Sequence, residues 1–197
     1  KGMDTLINKY NRNEIFSSII GYAASPLEGE DELGSLMTDA LTEGLKVDFA
    51  FQNKGGIRVQ HLPQGDITLK DIYKLDPFNN QVVIFNMSPA EIQSLICYGY
   101  KQEKGIDLQV SGMTYTLTAD SQYQCITVDI RDAKGNPLDF TRDYTVAMNS
   151  YLADTYTFDH RDPGITSTLT TAEALIQYLK EKKTIRYQGV KRAHLVK

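Results

Sequence analysis

Phe51-Gln52-Asn53-Lys54-Gly55-Gly56-Ile57-Arg58 is the stretch that decides how this chain is read. It grows out of Val47-Asp48-Phe49-Ala50-Phe51, whose alternation predicts a strand. It ends in two glycines, which let the backbone turn sharply and bring its N–H groups close to a guest. Asn53, Lys54 and Arg58 surround that bare turn. Glycine-turn amides are short donors and arginine is a planar fork for carboxylate or phosphate, so the combination suits an oxygen-rich, anionic ligand. By itself the octapeptide also reads as a strand-to-turn corner with solvated charges, because a Gly-Gly pair beside basic residues is common.

Its neighbours are more specific. Downstream come Gly65-Asp66-Ile67-Thr68, then Asp71-Ile72-Tyr73, then Pro77-Phe78-Asn79-Asn80. Upstream lies Glu30-Asp31-Glu32-Leu33-Gly34-Ser35-Leu36-Met37-Thr38-Asp39-Ala40. In this order the segments resemble the C-terminal domain of the 5'-nucleotidase family, which includes UDP-sugar hydrolases and 2',3'-cyclic phosphodiesterases. The resemblance runs from about Gly21 to the last strand and is most specific around residues 30–80. It implies an α+β fold, a mixed β-sheet packed with helices in a single domain over residues 1–197, that binds nucleotide.

The resemblance also implies a division of labour. In the family a separate N-terminal metallophosphoesterase domain holds two divalent metals and performs hydrolysis. No cofactor is therefore expected in this chain. Its expected partners are a nucleotide or nucleoside and a metallophosphoesterase domain or protein. By the same resemblance Asn53, Lys54, Gly55, Gly56, Arg58 and Asn80 are the expected contacts to phosphate or ribose, and Phe78 is the first of two rings that sandwich the base. The second ring falls in Asn149-Ser150-Tyr151-Leu152-Ala153-Asp154-Thr155-Tyr156-Thr157-Phe158, with Phe158 the better match and Tyr156 next to it. This segment departs from the family pattern: Leu-Ala is kept, but the Gly-Gly-Asp-Gly that normally follows is absent. Gly29 likewise stands where some members carry a phosphate-binding Arg, and Lys54 is positioned to replace part of that charge. These departures leave a second reading, a scaffold module that keeps the fold, has lost the ligand and pairs with a separate metallophosphoesterase.

Bulk properties agree with an ordinary globular chain. It has 197 residues, of which 41% are hydrophobic and 23% charged, and a net charge of −4. That sign argues against nonspecific nucleic-acid binding, which favours a basic surface. No run approaches the ~20 apolar residues of a membrane span. Residues 1–20 lack a signal-peptide apolar core, so a periplasmic or extracellular location is expected from the resemblance alone. Cys97 and Cys125 show no metal-ligand spacing and are expected to be buried free thiols rather than a disulfide.

The remaining periodicities predict a short helix over Asp4–Asn11 and a buried strand within 15–24, where helix is the alternative. A helix is predicted from Glu30 or Asp31 to Leu45, with Gly44 near its end as terminator. Thr68 and Ser88-Pro89-Ala90-Glu91 read as starts of further helices, the latter after a strand over Gln81–Met87. Short strands follow to Met148, then a helix from Thr170 or Thr171 to Lys180 and a closing strand near Ile185–Tyr187.

The chain lacks the usual signatures of hydrolysis. His61, His160 and His194 are far apart in sequence, with none of the Asp-x-His or Gly-His-x-His patterns that hold a metal pair. There is no Gly-x-Ser-x-Gly turn, Walker sequence or dinucleotide fingerprint either. Phe158-Asp159-His160-Arg161-Asp162 reads as a polar surface loop, because Arg161 would repel a cation.

Overall fold

The computed structural model describes residues 15–197; the helix expected over Asp4–Asn11 lies outside them. At the centre is a five-stranded mixed sheet in the order β11, β6, β10, β3, β7: Ile165–Thr170, Gln81–Met87, Tyr144–Asn149, Phe49–Asn53 and Leu108–Ser111. β10 and β3 are parallel, with Val146 opposite Phe49 and Met148 opposite Phe51, while the other neighbours in this sheet pair antiparallel. Alternation along the strands sorts side chains to two faces. Phe49, Phe51, Val83, Phe85 and Met87 join one core cluster, and Ala50, Val82 and Ala147 join another.

Helix α1 (Gly29–Leu45) covers the second face, helped by α5 (Thr171–Lys182). Leu33, Leu36, Met37, Ala40 and Leu41 of α1 recur at spacings of three and four, and all are buried. Each of the leucine and methionine side chains contributes roughly 1.5–3 kcal/mol when removed from water. The helix comes close to β7 because Gly34 has no side chain; a Cβ there would run into the Gln109 side chain. Gly44 does not terminate α1, contrary to the sequence expectation. The helix continues through Leu45, and the left-handed position that redirects the chain into β3 is Lys46 at φ 58°.

Helix α3 (Pro89–Glu103) covers the first face together with a three-stranded sheet of β13, β8 and β9 (Ala193–Val196, Met113–Ala119 and Cys125–Asp132). Ser88 and Glu91 form the capping box read from the sequence, with Glu91 N donating to Ser88 Oγ and Ser88 N donating to Glu91 Oε2. Cys97 on α3 and Cys125 on β9 are joined by a disulfide, which corrects the expectation of free thiols. Helix and strand are held together there, Gln93 Nε2 donating to Val128 O at 2.7 Å, and the two Cα atoms come to 5.6 Å, within bridging range. A separation of 28 residues gave no hint of this contact.

A smaller sheet of β12, β1 and β5 (Thr184–Ile185, Ile19–Ala23 and Gly65–Thr68) closes over α1 and α5. The stretch 15–24, open between helix and strand in the sequence, contains β1. Short β2 (Leu27–Glu28) pairs with β4 (His61–Leu62). Helix α2 (Leu69–Leu75) starts at Thr68, whose hydroxyl accepts from Asp71 N in a second capping box. β11 and β13 had no counterpart in the sequence reading, and the expected closing strand near Ile185–Tyr187 is β12. Among the described residues no helix is long and apolar enough to cross a membrane. The fold is α+β with a mixed central sheet, as expected.

Candidate functional site

Three adjacent strands of the central sheet bring the site together. β3 and β10 run parallel, so their C-terminal ends lie side by side; β6 runs antiparallel to β10 and contributes its N-terminal end, Val82 facing Asn149. β3 continues into the tight turn Lys54–Gly56, β10 into the short helix α4 (Ser150–Thr155), and β6 is preceded by Pro77-Phe78-Asn79-Asn80. Asn53, Gly55, Gly56, Phe78, Asn80 and Tyr151 line one cleft of about 230 Å³ at that edge. Ligands of open sheets commonly lie beyond the carboxyl ends of parallel strands, where successive loops diverge. Two strand spacings, about 10 Å, separate the outer loops, the scale of a nucleobase with its sugar.

Buried amides form the floor. Asn149 Nδ2 donates to Asn53 Oδ1 at 3.0 Å and to Gln52 Oε1 at 3.3 Å, while Asn149 Oδ1 accepts from Leu152 N and caps α4. Asn53 is only 5% exposed, and its Oδ1 also accepts from Gln52 Nε2. Its Nδ2 donates to no protein acceptor among the described residues and lies at the cleft side, where it is available to a ligand oxygen. A Cβ at Gly56 would run into Gln52 Nε2, so a side chain there would displace the Gln52 amide from the cluster. The Gly-Gly pair therefore lets the turn lie directly on the amide cluster.

The opposite wall is Phe78, 46% exposed. Its loop is fixed from beneath by the start of α5: Thr171 N donates to Asn80 O at 2.9 Å, and Thr171 Oγ1 donates to Asp76 Oδ2. Burial raises the Asp76 carboxyl above its usual range, against the lowering effect of the Thr171 hydroxyl and the Phe78 backbone N–H. Arg58 N donates to Leu75 O, and the Arg58 guanidinium lies 5.5 Å from the centroid of the Phe78 ring. Lys54 is exposed beside the turn and pairs with Glu30 at 3.7 Å. Of the residues expected from the sequence, Asn53, Gly55, Gly56, Phe78 and Asn80 line the cleft, and Lys54 and Arg58 stand on its rim segments.

The second ring differs from expectation. Phe158 is 8% exposed and is part of the core, its centroid 6.2 Å from Phe85 and 4.8 Å from His160; it presents no face to the cleft. Tyr156 does not line the cleft either. It is half-buried, its hydroxyl donates to Asp107 Oδ2 at 2.6 Å, and its ring lies against Tyr98 and Tyr151. Burial first, and the Asp107 carboxylate second, raise the Tyr156 phenol far above its usual value. The exposed aromatic residue in this segment is Tyr151, 51% exposed, in the first turn of α4. Asn149 caps a short helix over Ser150–Thr155 that carries Tyr151 at the cleft, and the chain beyond Thr155, where the family's glycines are absent, takes Phe158 into the core. Asn149 followed three residues later by Leu152, a cap before an apolar anchor, was the available signal for this helix.

The loop at 158–162 is a surface loop with firm anchors. Arg161 donates through Nε and its backbone N to Glu91 Oε1, and through Nη2 to Asp143; Asp162 accepts from Asn86 N. Burial alone would raise the Glu91 carboxyl, but the hydrogen bonds from Arg161 and Ser88 outweigh it and bring it to about 2. Among the described residues no three His, Cys, Asp or Glu side chains are grouped so as to hold a metal ion.

A sequence profile of the 5'-nucleotidase C-terminal domain matches residues 19–159. The chain belongs to that family. It is 30% identical over 156 residues to Endonuclease YhcR of Bacillus subtilis, covering 75% of this chain and 12% of that protein. It is also 30% identical over 171 residues to Cell wall protein Lmo0130 of Listeria monocytogenes, covering 78% of this chain and 22% of that one. Among solved structures, the 5'-nucleotidase precursor from Thermus thermophilus superposes with a TM-score of 0.82 at 27% identity, over 98% of this chain and 42% of the other. The chain thus spans less than half of each of these proteins.

Proposed function

We propose that this chain is the nucleotide-holding domain of a 5'-nucleotidase-type phosphohydrolase, and that it hydrolyses nothing by itself. The single observation that carries the reading is the convergence of Asn53, Gly55, Gly56, Phe78 and Asn80, from two separate segments, with Tyr151 from a third, on one cleft. Both rings are about half exposed on a rigid sheet edge, and a base between them gains ~1–3 kcal/mol per stacked ring. Asn53 Nδ2 and Asn80 supply polar contacts to the sugar, and Arg58 stands at the outer side of Phe78. Hydrolysis then requires two divalent metals on a metallophosphoesterase domain or protein that positions them at the phosphate end.

The Cys97–Cys125 disulfide supports action in the periplasm or outside the cell, since such bridges persist in oxidising compartments. Similarity to a protein described as a cell wall protein supports it too. Calorimetric titration with adenosine tests the cleft: binding that weakens at least fivefold in Phe78→Ala agrees with one lost stacking contact of about 1 kcal/mol or more. An unchanged isotherm in that variant, or no heat from the parent chain, refutes the cleft as the nucleoside site. The second part is tested by assaying phosphate release from AMP with added Mn²⁺; turnover by the purified chain refutes it.

A further inference from the structure

One buried carboxylate stands behind each aromatic wall of the cleft. Asp76 and Asp107 are each only 3% exposed, and among the described residues neither is in an ion pair. Asp76 accepts the Phe78 backbone N–H and the Thr171 hydroxyl, which ties the Phe78 loop to the start of α5. Asp107 accepts the Tyr156 hydroxyl at 2.6 Å, and its backbone carbonyl accepts the Lys54 N–H at 2.8 Å. The Tyr156 ring in turn meets Tyr151 edge-on, with centroids 6.3 Å apart. Each wall is thus fastened to one carboxylate through one hydroxyl.

Few charges reach these two groups. Asp107 faces Lys54 from the turn and Glu103 from the end of α3, which act on it in opposite directions, and Tyr115 of β8, whose hydroxyl donates to Leu108 O. Around Asp76, the Arg58 guanidinium is turned to the Phe78 ring, Glu173 of α5 accepts from Thr170, and Lys74 of α2 is exposed. Burial therefore dominates. It raises both carboxyls above their usual range, against the lowering effect of their hydroxyl partners.

A buried carboxylate without a cation is a weak anchor while ionised, because opening the wall returns it to water. Protonation removes that cost, and the neutral acid still accepts the same hydroxyl through its carbonyl oxygen. Closing a wall lifts its carboxyl above the ordinary range, and opening restores it. Closing therefore takes up protons and is favoured as pH falls toward the ordinary carboxylate range.

We infer that Asp76 and Asp107 are positioning residues that hold the Phe78 and Tyr151 walls, and that the cleft closes on its ligand more tightly in mild acid than at neutral pH. This rests on the cleft being a nucleoside site and adds how its walls are held.

The test is calorimetric titration with adenosine, whose base stays neutral throughout, at constant ionic strength between about pH 7.5 and about pH 5. Affinity is expected to rise at least about threefold toward the acid end. Net proton uptake on binding should appear as a difference in heat between buffers of unlike ionisation enthalpy. Affinity that is flat or falls, or binding without proton uptake, overturns the inference. The double variant Asp76→Asn, Asp107→Asn carries neutral isosteres of the protonated acids. It is expected to bind at neutral pH as the parent does in acid, with no slope; a slope equal to the parent's overturns the inference.

Tyr156→Phe keeps the ring but removes the hydroxyl that lowers Asp107, so the gain in affinity should begin at higher pH, and Thr171→Val should do the same for Asp76. Weaker binding with the parent's pH profile in both variants would show that these contacts only support the fold, and so overturns the inference. If adenosine binds at no pH, the nucleoside site itself falls and this reading with it, an outcome distinct from binding that ignores pH.

Discussion

Phe158→Ala and Tyr151→Ala separate the ring that builds the core from the ring that faces the cleft. Phe158 is 8% exposed and packs edge-on against Phe85, so its truncation leaves a cavity at the junction of β6 and the 158–162 loop. Phe→Ala at such a position costs about 3–5 kcal/mol. For a chain of this size that lowers the melting midpoint by roughly 10 °C. The 51% exposed Tyr151 gives up little packing, and its removal changes stability by about 0.5 kcal/mol or less. Its loss should instead weaken adenosine binding by about 5- to 150-fold, the equivalent of one stacking contact of 1–3 kcal/mol. Urea denaturation and calorimetric titration on both variants read the two quantities separately. The reasoning is refuted if Phe158→Ala keeps the parent midpoint and loses the ligand, or if Tyr151→Ala binds adenosine as the parent does.

Other consequences follow from the same structure. Replacing both Cys97 and Cys125 with Ala opens a loop of 28 residues and is expected to cost about 3.5 kcal/mol, measured by denaturant unfolding; a loss under about 1 kcal/mol contradicts it. Asp39 accepts from Arg192 through both oxygens and from Tyr187 and Ser111 hydroxyls, so Asp39→Ala leaves a partly buried guanidinium unpaired. The cost is about 3–5 kcal/mol, and hydrogen exchange should show β13, which follows Arg192, opening first. Glu91 is depressed from 4.5 to about 2 in the folded chain, so its contribution is complete above pH 4.5 and is lost as pH falls toward 2. Glu91→Gln should flatten that part of the stability–pH curve, and an unchanged acid limb would show that another carboxylate sets it. Gly56→Ala should disrupt the Gln52–Asn53–Asn149 amide cluster and with it adenosine binding, as read by titration; full affinity in this variant would show that the turn need not lie on the amides.

Local chemistry was legible wherever the chain signals to itself. The Ser88–Glu91 box, the Thr68 cap, the apolar face of α1 and the β6 strand depend on residues a few positions apart, and each appears where the sequence placed it. Asn53, Gly55, Gly56 and Phe78, each within a short ordered motif, are brought together at one cleft. Tertiary structure alone decided three matters. Cys97 and Cys125 meet because α3 crosses β9, a contact between segments with no local coupling. Lys54 pairs with Glu30 because α1 starts beside the β3 turn, a juxtaposition set by the sheet and helix packing. Whether an aromatic residue near 150–158 faces the core or the cleft depends on the path of the backbone after Asn149. Tyr151 lies in the first turn of the helix that Asn149 caps and is exposed, while Phe158, beyond the end of that helix, is buried, and the spacing between the rings does not indicate which is which.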